Sequence, residues 1–218
     1  RAEVRQLLED VRSELTNLAP LAGKKVFLFV SGGFEYQPGY AMSIYVLGRP
    51  VLLGSRNFTE ELNAIVRRAN SSEITFYTVD ARGMEVGGLS ATQFDEPLLS
   101  RPSISAIARQ DSQEGLVMLA RETGGLALIN SNDLEKGLSR IHEDTSVYYS
   151  LGVTLSKLPA SKYQQIRVEV NRPGVTVRTR QGYSALTETE RAQDRVEATM
   201  KTNLSYSAPN AEGGVTTS

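Results

Sequence analysis

Over residues 1–142 the apolar positions alternate between two rhythms. Val4, Leu7, Leu8, Val11, Leu15 and Leu18 fall at helical spacing, and Glu3, Arg5, Glu9, Arg12 and Glu14 lie largely off that face, so residues 2–18 read as an amphipathic helix. Pro20 and Gly23 end it. Val26-Phe27-Leu28-Phe29-Val30 is an unbroken apolar run before Gly32-Gly33, the pattern of a strand buried on both faces in a parallel sheet. Residues 34–57 contain Pro38, Gly39, Gly48, Pro50 and Gly54 and read as a long irregular loop. Thr59 is placed to cap a helix striped by Leu62, Ile65, Val66 and Ala69. Ile74–Val79 is a second strand, closed by Asp80. A second loop covers residues 81–110. Asp111 and Glu114 then resemble a capping box for a helix carrying Leu116, Leu119 and Ala120 and stopped by Gly124-Gly125. Leu126–Ile129 is a short third strand, and Asp133 caps a helix running through Ile141. Alternation of this kind implies right-handed crossovers and a parallel sheet covered by helices.

The period then changes. Val147–Leu155, Gln165–Asn171 and Val175–Arg180 read as strands with no helix between them. Ile166, Val168 and Val170 alternate with polar neighbours, as do Val175, Val177 and Thr179. Arg172-Pro173-Gly174 is a turn, with Pro presetting φ and Gly accepting a positive one. These strands are expected to extend the sheet in antiparallel fashion with one wet face. Residues 185–218 are polar; a short helix near 187–201 and a disordered tail are expected.

Composition narrows the chemistry. The chain has 218 residues, with 24 Lys+Arg against 25 Asp+Glu and a net charge of −1. That balance opposes nucleic-acid binding, which needs a basic excess or face. The absence of Cys excludes disulfides, thiolate metal sites and a cysteine nucleophile, and a single His excludes a multi-histidine metal site within the chain. No apolar run approaches the roughly 18 residues of a membrane span. A phosphate loop is not matched either: Leu18 stands where its first Gly belongs, ahead of Gly23-Lys24, and Lys25 replaces its Ser/Thr.

Several segments together resemble one family: Leu21-Ala22-Gly23-Lys24-Lys25-Val26-Phe27-Leu28-Phe29-Val30-Ser31-Gly32-Gly33, Ile74-Thr75-Phe76-Tyr77-Thr78-Val79-Asp80-Ala81-Arg82-Gly83, Leu119-Ala120-Arg121-Glu122-Thr123-Gly124-Gly125, Tyr148-Tyr149-Ser150-Leu151-Gly152-Val153 and residues 172–183. In that order they resemble the von Willebrand factor A-related domain of bacterial exported proteins, over roughly residues 1–184. The resemblance implies an α/β fold: a three-layer, Rossmann-like parallel sheet flanked by helices, here with a C-terminal antiparallel β extension. It implies residues 1–145 as the α/β domain lacking its first strands, 146–184 as the extension, and 185–218 as helix and tail. It also implies an extracellular, periplasmic or envelope location. The family's metal-ion-dependent adhesion site needs an Asp-x-Ser-x-Ser loop, a Thr, and an Asp in a Thr/Ser-Asp-Gly turn, hard oxygen ligands suited to Mg²⁺. Asp-x-Ser-x-Ser is absent here, and Gly32 of Ser31-Gly32-Gly33 occupies the turn's Asp position. The metal site is therefore expected to be degenerate, with Ser31 and Asp80 as the residual candidates, and no cofactor is expected.

Asp80 ends a strand at the ligand edge of open α/β sheets, where it either ligates or accepts backbone N–H groups of the Ala81-Arg82-Gly83 turn. His142 suits a helix C-terminus better than general-base work, since no nucleophile pairs with it. Phe34, Tyr36, Tyr40 and Tyr45 form the candidate partner-binding surface, with local packing of the same rings as the alternative. The expected function is a non-catalytic adhesion-type module that binds another protein. The rival is a Rossmann-like enzyme using Asp80 and loop residues. Val26–Val30 is apolar on both faces and calls for neighbours on both sides, so the chain is expected to be part of a longer protein and to self-associate through an open sheet edge if isolated.

Overall fold

A computed structural model describes residues 2–49, 58–83, 104–152 and 163–183, with helical positions 189, 192, 193, 195, 196, 199 and 200 beyond them. The elements in chain order are α1 (Ala2–Leu18), β1 (Lys25–Ser31), α2 (Tyr40–Leu47), α3 (Thr59–Ser71), β2 (Ile74–Asp80), α4 (Ile104–Thr123), β3 (Ala127–Leu128), α5 (Leu134–Ser146), β4 (Gln164–Gln165) and β5 (Gly182–Tyr183). The fold is α/β: a three-stranded parallel sheet in the order β1-β2-β3, flanked by helices, and a separate antiparallel pair, β4-β5.

β1 and β2 pair in one continuous register, from Lys25 beside Ile74 to Ser31 beside Asp80. Strand alternation sorts their side chains onto two faces. On the first face, Phe27, Phe29, Ile74 and Phe76 meet the apolar stripes of α1, α3 and α4, and the Phe27 and Phe76 ring centroids stand 4.8 Å apart. Leu8, Val11 and Leu15 of α1 and Leu62, Ile65, Val66 and Ala69 of α3 supply that core, so the helical periodicity reads correctly. On the second face, Tyr77, Val79 and Leu128 meet Ile141 of α5. A Cβ at Gly137 would stand 2.6 Å from Leu128 Cδ1, so α5 lies close against β3. Val26, Leu28 and Val30, on this same face of β1, are 44%, 47% and 57% exposed. The expected burial of β1 on both faces is realised on one.

Four further expectations change. The loop at 34–57 contains α2, whose ends are closed by Gly39 (φ 86°) and Gly48 (φ 64°), both left-handed; residues 50–57 lie outside the described residues. Thr59 sits inside α3, with Phe58 as its N-cap. α4 begins at Ile104, not Asp111; Asp111 lies inside the helix and its side chain accepts from the backbone of residues 36–37 instead of capping a helix terminus. α5 continues past Ile141 to Ser146, where Thr145 and Ser146 hydroxyls donate to the His142 carbonyl, so exposed His142 lies within the helix. Asp133 does cap α5, accepting from the Lys136 N–H at 2.9 Å.

The antiparallel strands also form differently. Residues 147–152 are not in a strand, and 153–162 lie outside the described residues. The 163–183 hairpin turns at Arg172-Pro173-Gly174 but pairs only at its base, where Gln164 and Gln165 face Tyr183 and Gly182 and Ile166 N–H donates to Gln181. Val170, Val175 and Val177 remain exposed, and among the described residues no element lies opposite the alternating face to bury it. The hairpin base is tied to helix ends instead of to the three-stranded sheet: Gln181 N–H donates to Glu122 and Arg180 Nη1 to the Asn70 carbonyl. The expected helix near 187–201 is represented by its described helical positions, and residues 201–218 lie outside them.

Candidate functional site

Parallel strands deliver their last residues to one edge, and here that edge carries Ser31 from β1 and Asp80 from β2, neighbours in register. Asp80 is buried with its side chain fully enclosed. Its Oδ1 accepts from the Arg82 backbone N–H and Nε, both at 3.0 Å; its Oδ2 accepts from Arg82 Nη2 at 2.9 Å and from Gln113 Nε2 at 2.8 Å. Gln113 also donates to Asn130 Oδ1, linking α4 to the second residue after β3. Burial pushes the Asp80 carboxyl up, but the Arg82 and Gln113 hydrogen bonds and the Arg82 charge outweigh it and hold it at about 2. A carboxylate so stabilised is a poor general base at neutral pH.

Ser31 Oγ accepts from the Gly33 N–H at 3.2 Å. Ser31 and Asp80, the residual metal candidates, do not fit a divalent ion: the Arg82 guanidinium already supplies the cation in a two-pronged contact with both Asp80 oxygens. Among the described residues no group of three or more His, Asp or Glu could hold a metal. The Asp80 contact with the turn N–H was readable in the sequence; the Arg82 fork and Gln113 were not identified there. An Arg two residues beyond a strand-ending Asp is the one local signal that points to the fork.

The aromatic candidates divide. Phe34 is 5% exposed and packs against α4, where a Cβ at Gly115 would stand 2.7 Å from its ring. It belongs to the core, and that burial corrects its assignment to a partner surface. Tyr36 is half-buried against the same core, and its hydroxyl accepts from Thr59 Oγ1 at 3.1 Å. Tyr40 opens α2 and is half-buried; the Tyr45 side chain lies outside the described residues. The sequence reading missed the outer side of α2, where Met42, Val46 and Leu47 are each more than half exposed. Met42 and Val46, four apart, share a helix face.

This segment is held from below by Asp111, whose two oxygens accept the Gln37 N–H at 3.0 and 3.2 Å. Burial pushes Asp111 up to about 6, against the Gln37 and Tyr36 N–H groups and with Glu35 and Glu114 adding repulsion. A second polar cluster joins α5 to the hairpin: Tyr77 OH donates to Asp144 Oδ2 at 2.7 Å and Arg178 pairs with Asp144 Oδ1. Burial raises the Asp144 carboxyl, but Arg178, Tyr77 and the Lys24 charge lower it overall.

No family profile, curated protein or solved structure gives a match to this chain. Among the described residues no helix is long and apolar enough to cross a membrane.

Proposed function

We propose that the chain is a non-catalytic interaction module that binds another protein, Rossmann-like in layout and of the von Willebrand A type, with a degenerate metal site. The observation that carries this reading is the exposed apolar face of α2, Met42, Val46 and Leu47, on a helix anchored through Gln37 to Asp111. An apolar patch held on a rigid support is what a protein partner can desolvate. The carboxyl edge supports it from the other side: the Asp80 carboxylate is already engaged by Arg82 and Gln113. The von Willebrand type and an exported location rest on the resemblance of residues 21–33, 74–83, 119–125, 148–153 and 172–183.

The test selects displayed peptides against the folded chain and measures their affinity for Val46→Glu, Met42→Glu, Ser31→Ala and Asp80→Asn variants of verified fold. The expected result is at least a tenfold loss for both α2 variants and less than a twofold change for the edge variants. Binding that survives both α2 substitutions and is lost with Asp80→Asn, or that disappears on chelation of divalent ions, overturns the proposal.

A further inference from the structure

β1 has a second partner position. Lys25 N–H donates to Glu73 and Ser31 C=O accepts from Ala81, so odd-numbered residues of β1 direct their backbone groups toward β2. Strand geometry then turns the N–H and C=O groups of Val26, Leu28 and Val30 toward the outer edge. Among the described residues, β2 is β1's only strand neighbour. β1 also lacks the devices that protect a natural edge. It is seven residues long, contains no Pro, and keeps an unbroken register with β2. Its one Lys turns back, with Nζ donating to the Leu21 and Gly23 carbonyls.

A second copy of the chain does not fit this edge. α1 packs on α3 and α3 on α4, all on the first face. Helices pack about 8–10 Å apart and strands about 4.8 Å apart, so three helices overhang three strands, with α1 outermost beyond β1. A second β1 would bring its own α1 into that overhang. A strand without a helical cover of its own fits beneath it.

α5 leads such a strand to this place. It meets β3 at Gly137 against Leu128, then β2 at Asp144 with Tyr77. Just beyond its end, the Tyr148 ring lies 4.7 Å from Lys24 Nζ, at the start of β1. A return crossover from β3 toward β1 is right-handed only when its helix covers the face opposite α3 and α4, and α5 covers that face. Val147 already has extended backbone, φ −130° and ψ 118°. Tyr149 and Leu151 stand 91% and 72% exposed.

We propose that residues 148–152 form a strap that closes onto the outer edge of β1 as a fourth parallel strand, independently of the α2 surface proposed above and in the place that the von Willebrand-type resemblance would give to its first strands. Tyr148 beside Lys24 sets the register, which places Ser150 opposite Val26 and Gly152 opposite Leu28. Val26 N–H then donates to the Tyr149 carbonyl, and Leu151 N–H to the Val26 carbonyl. Tyr149 and Leu151 turn toward the face covered by α1, and Ser150 toward the barer second face.

The chain has no cysteine, so paired substitutions report this register without background. Directly opposed parallel residues lie about 4.8 Å apart, within disulfide reach, whereas a four-residue offset adds about 13 Å along the strand. Mild oxidation of the full-chain Val26→Cys/Ser150→Cys variant is expected to give an intramolecular disulfide in most molecules, and Val30→Cys/Ser150→Cys is expected to give less than a tenth as much. Hydrogen exchange on the unsubstituted chain gives a second reading: the Val26 amide is expected to be slowed at least tenfold relative to the Ser150 amide, which this register turns away from β1. No disulfide from the first pair, equal yields from both, or unslowed exchange at Val26 overturns the strap.

Discussion

β1 and β2 have almost the same pattern and opposite fates. Each is seven residues long, each is rich in aromatic and β-branched residues, and they run side by side in register. β2 is enclosed by strands on both sides and helices on both faces, and all but one of its residues are buried. Among the described residues β1 has one strand neighbour and one covered face; only Phe29 of its seven residues is buried. An apolar run therefore specifies that a strand is suited to enclosure and not how much of that enclosure the surrounding chain supplies. The difference locates the open side of the described fold: β2 organises the core, and β1 keeps an unpaired edge and a barer face.

The largest break in this comparison comes from β2. Phe76 is fully buried in the first-face core, its ring tilted against that of Phe27 and in one cluster with Leu116 and Leu119. Phe76→Ala removes its buried area and leaves a cavity, at a cost of about 3–5 kcal/mol. Urea unfolding should show that loss as a lower midpoint with little change in slope. A cost below about 1 kcal/mol would mean that β2 is not the organising strand.

The parts of the fold legible in the sequence were those carried by local periodicity. The stripes of α1 and α3, the strands β1 and β2 and the Asp133 cap of α5 all depend on neighbours within one or two turns. What was not legible depends on distant partners. Asp111 was read as a helix cap because Glu114 follows it; it is instead held by Gln37, 74 residues away in sequence. α2 was hidden by Gly39 and Gly48, which punctuate a loop and close a helix by the same left-handed geometry. At the edge, Asp80 and its turn were legible, whereas Gln113 reaches it across 33 residues. The hairpin strands were over-read because alternation marks a half-buried surface without stating what buries it.

An intermediate effect is expected where the two strands end as neighbours. Ser31 and Asp80 are paired in register, but only Asp80 is held by a guanidinium. Asp80→Asn removes the charge that Arg82 and Gln113 bind and should cost about 1–3 kcal/mol at neutral pH. Its carboxyl lies at about 2 in the fold against an ordinary 3.8, so its stabilisation is present above about pH 4 and is lost as pH falls toward 2. Stability of the unsubstituted chain should therefore decline more steeply than that of Asp80→Asn between pH 4 and 2. Equal declines, measured by denaturant unfolding at each pH, would show that the Arg82 fork does not set the edge.

The smallest effect is expected at Leu28, the register partner of Tyr77 on the second face. Leu28 is about half exposed and Tyr77 almost wholly buried, although both point toward the side that α5 covers. A side chain that remains in water loses little when shortened, and Thr introduces the β-branching that suits a pleated surface. Leu28→Thr should therefore change unfolding free energy by no more than about 0.5 kcal/mol. The closed strap would not alter this result, since it adds hydrogen bonds at the strand's edge and leaves the second face of β1 open. If instead Leu28→Thr costs more than about 2 kcal/mol in thermal or urea unfolding, Leu28 is covered in solution. The contrast between β1 and β2 would then be one of which element provides the cover, with exposed Leu134 and Leu138 of α5 as the first side chains to examine beside it.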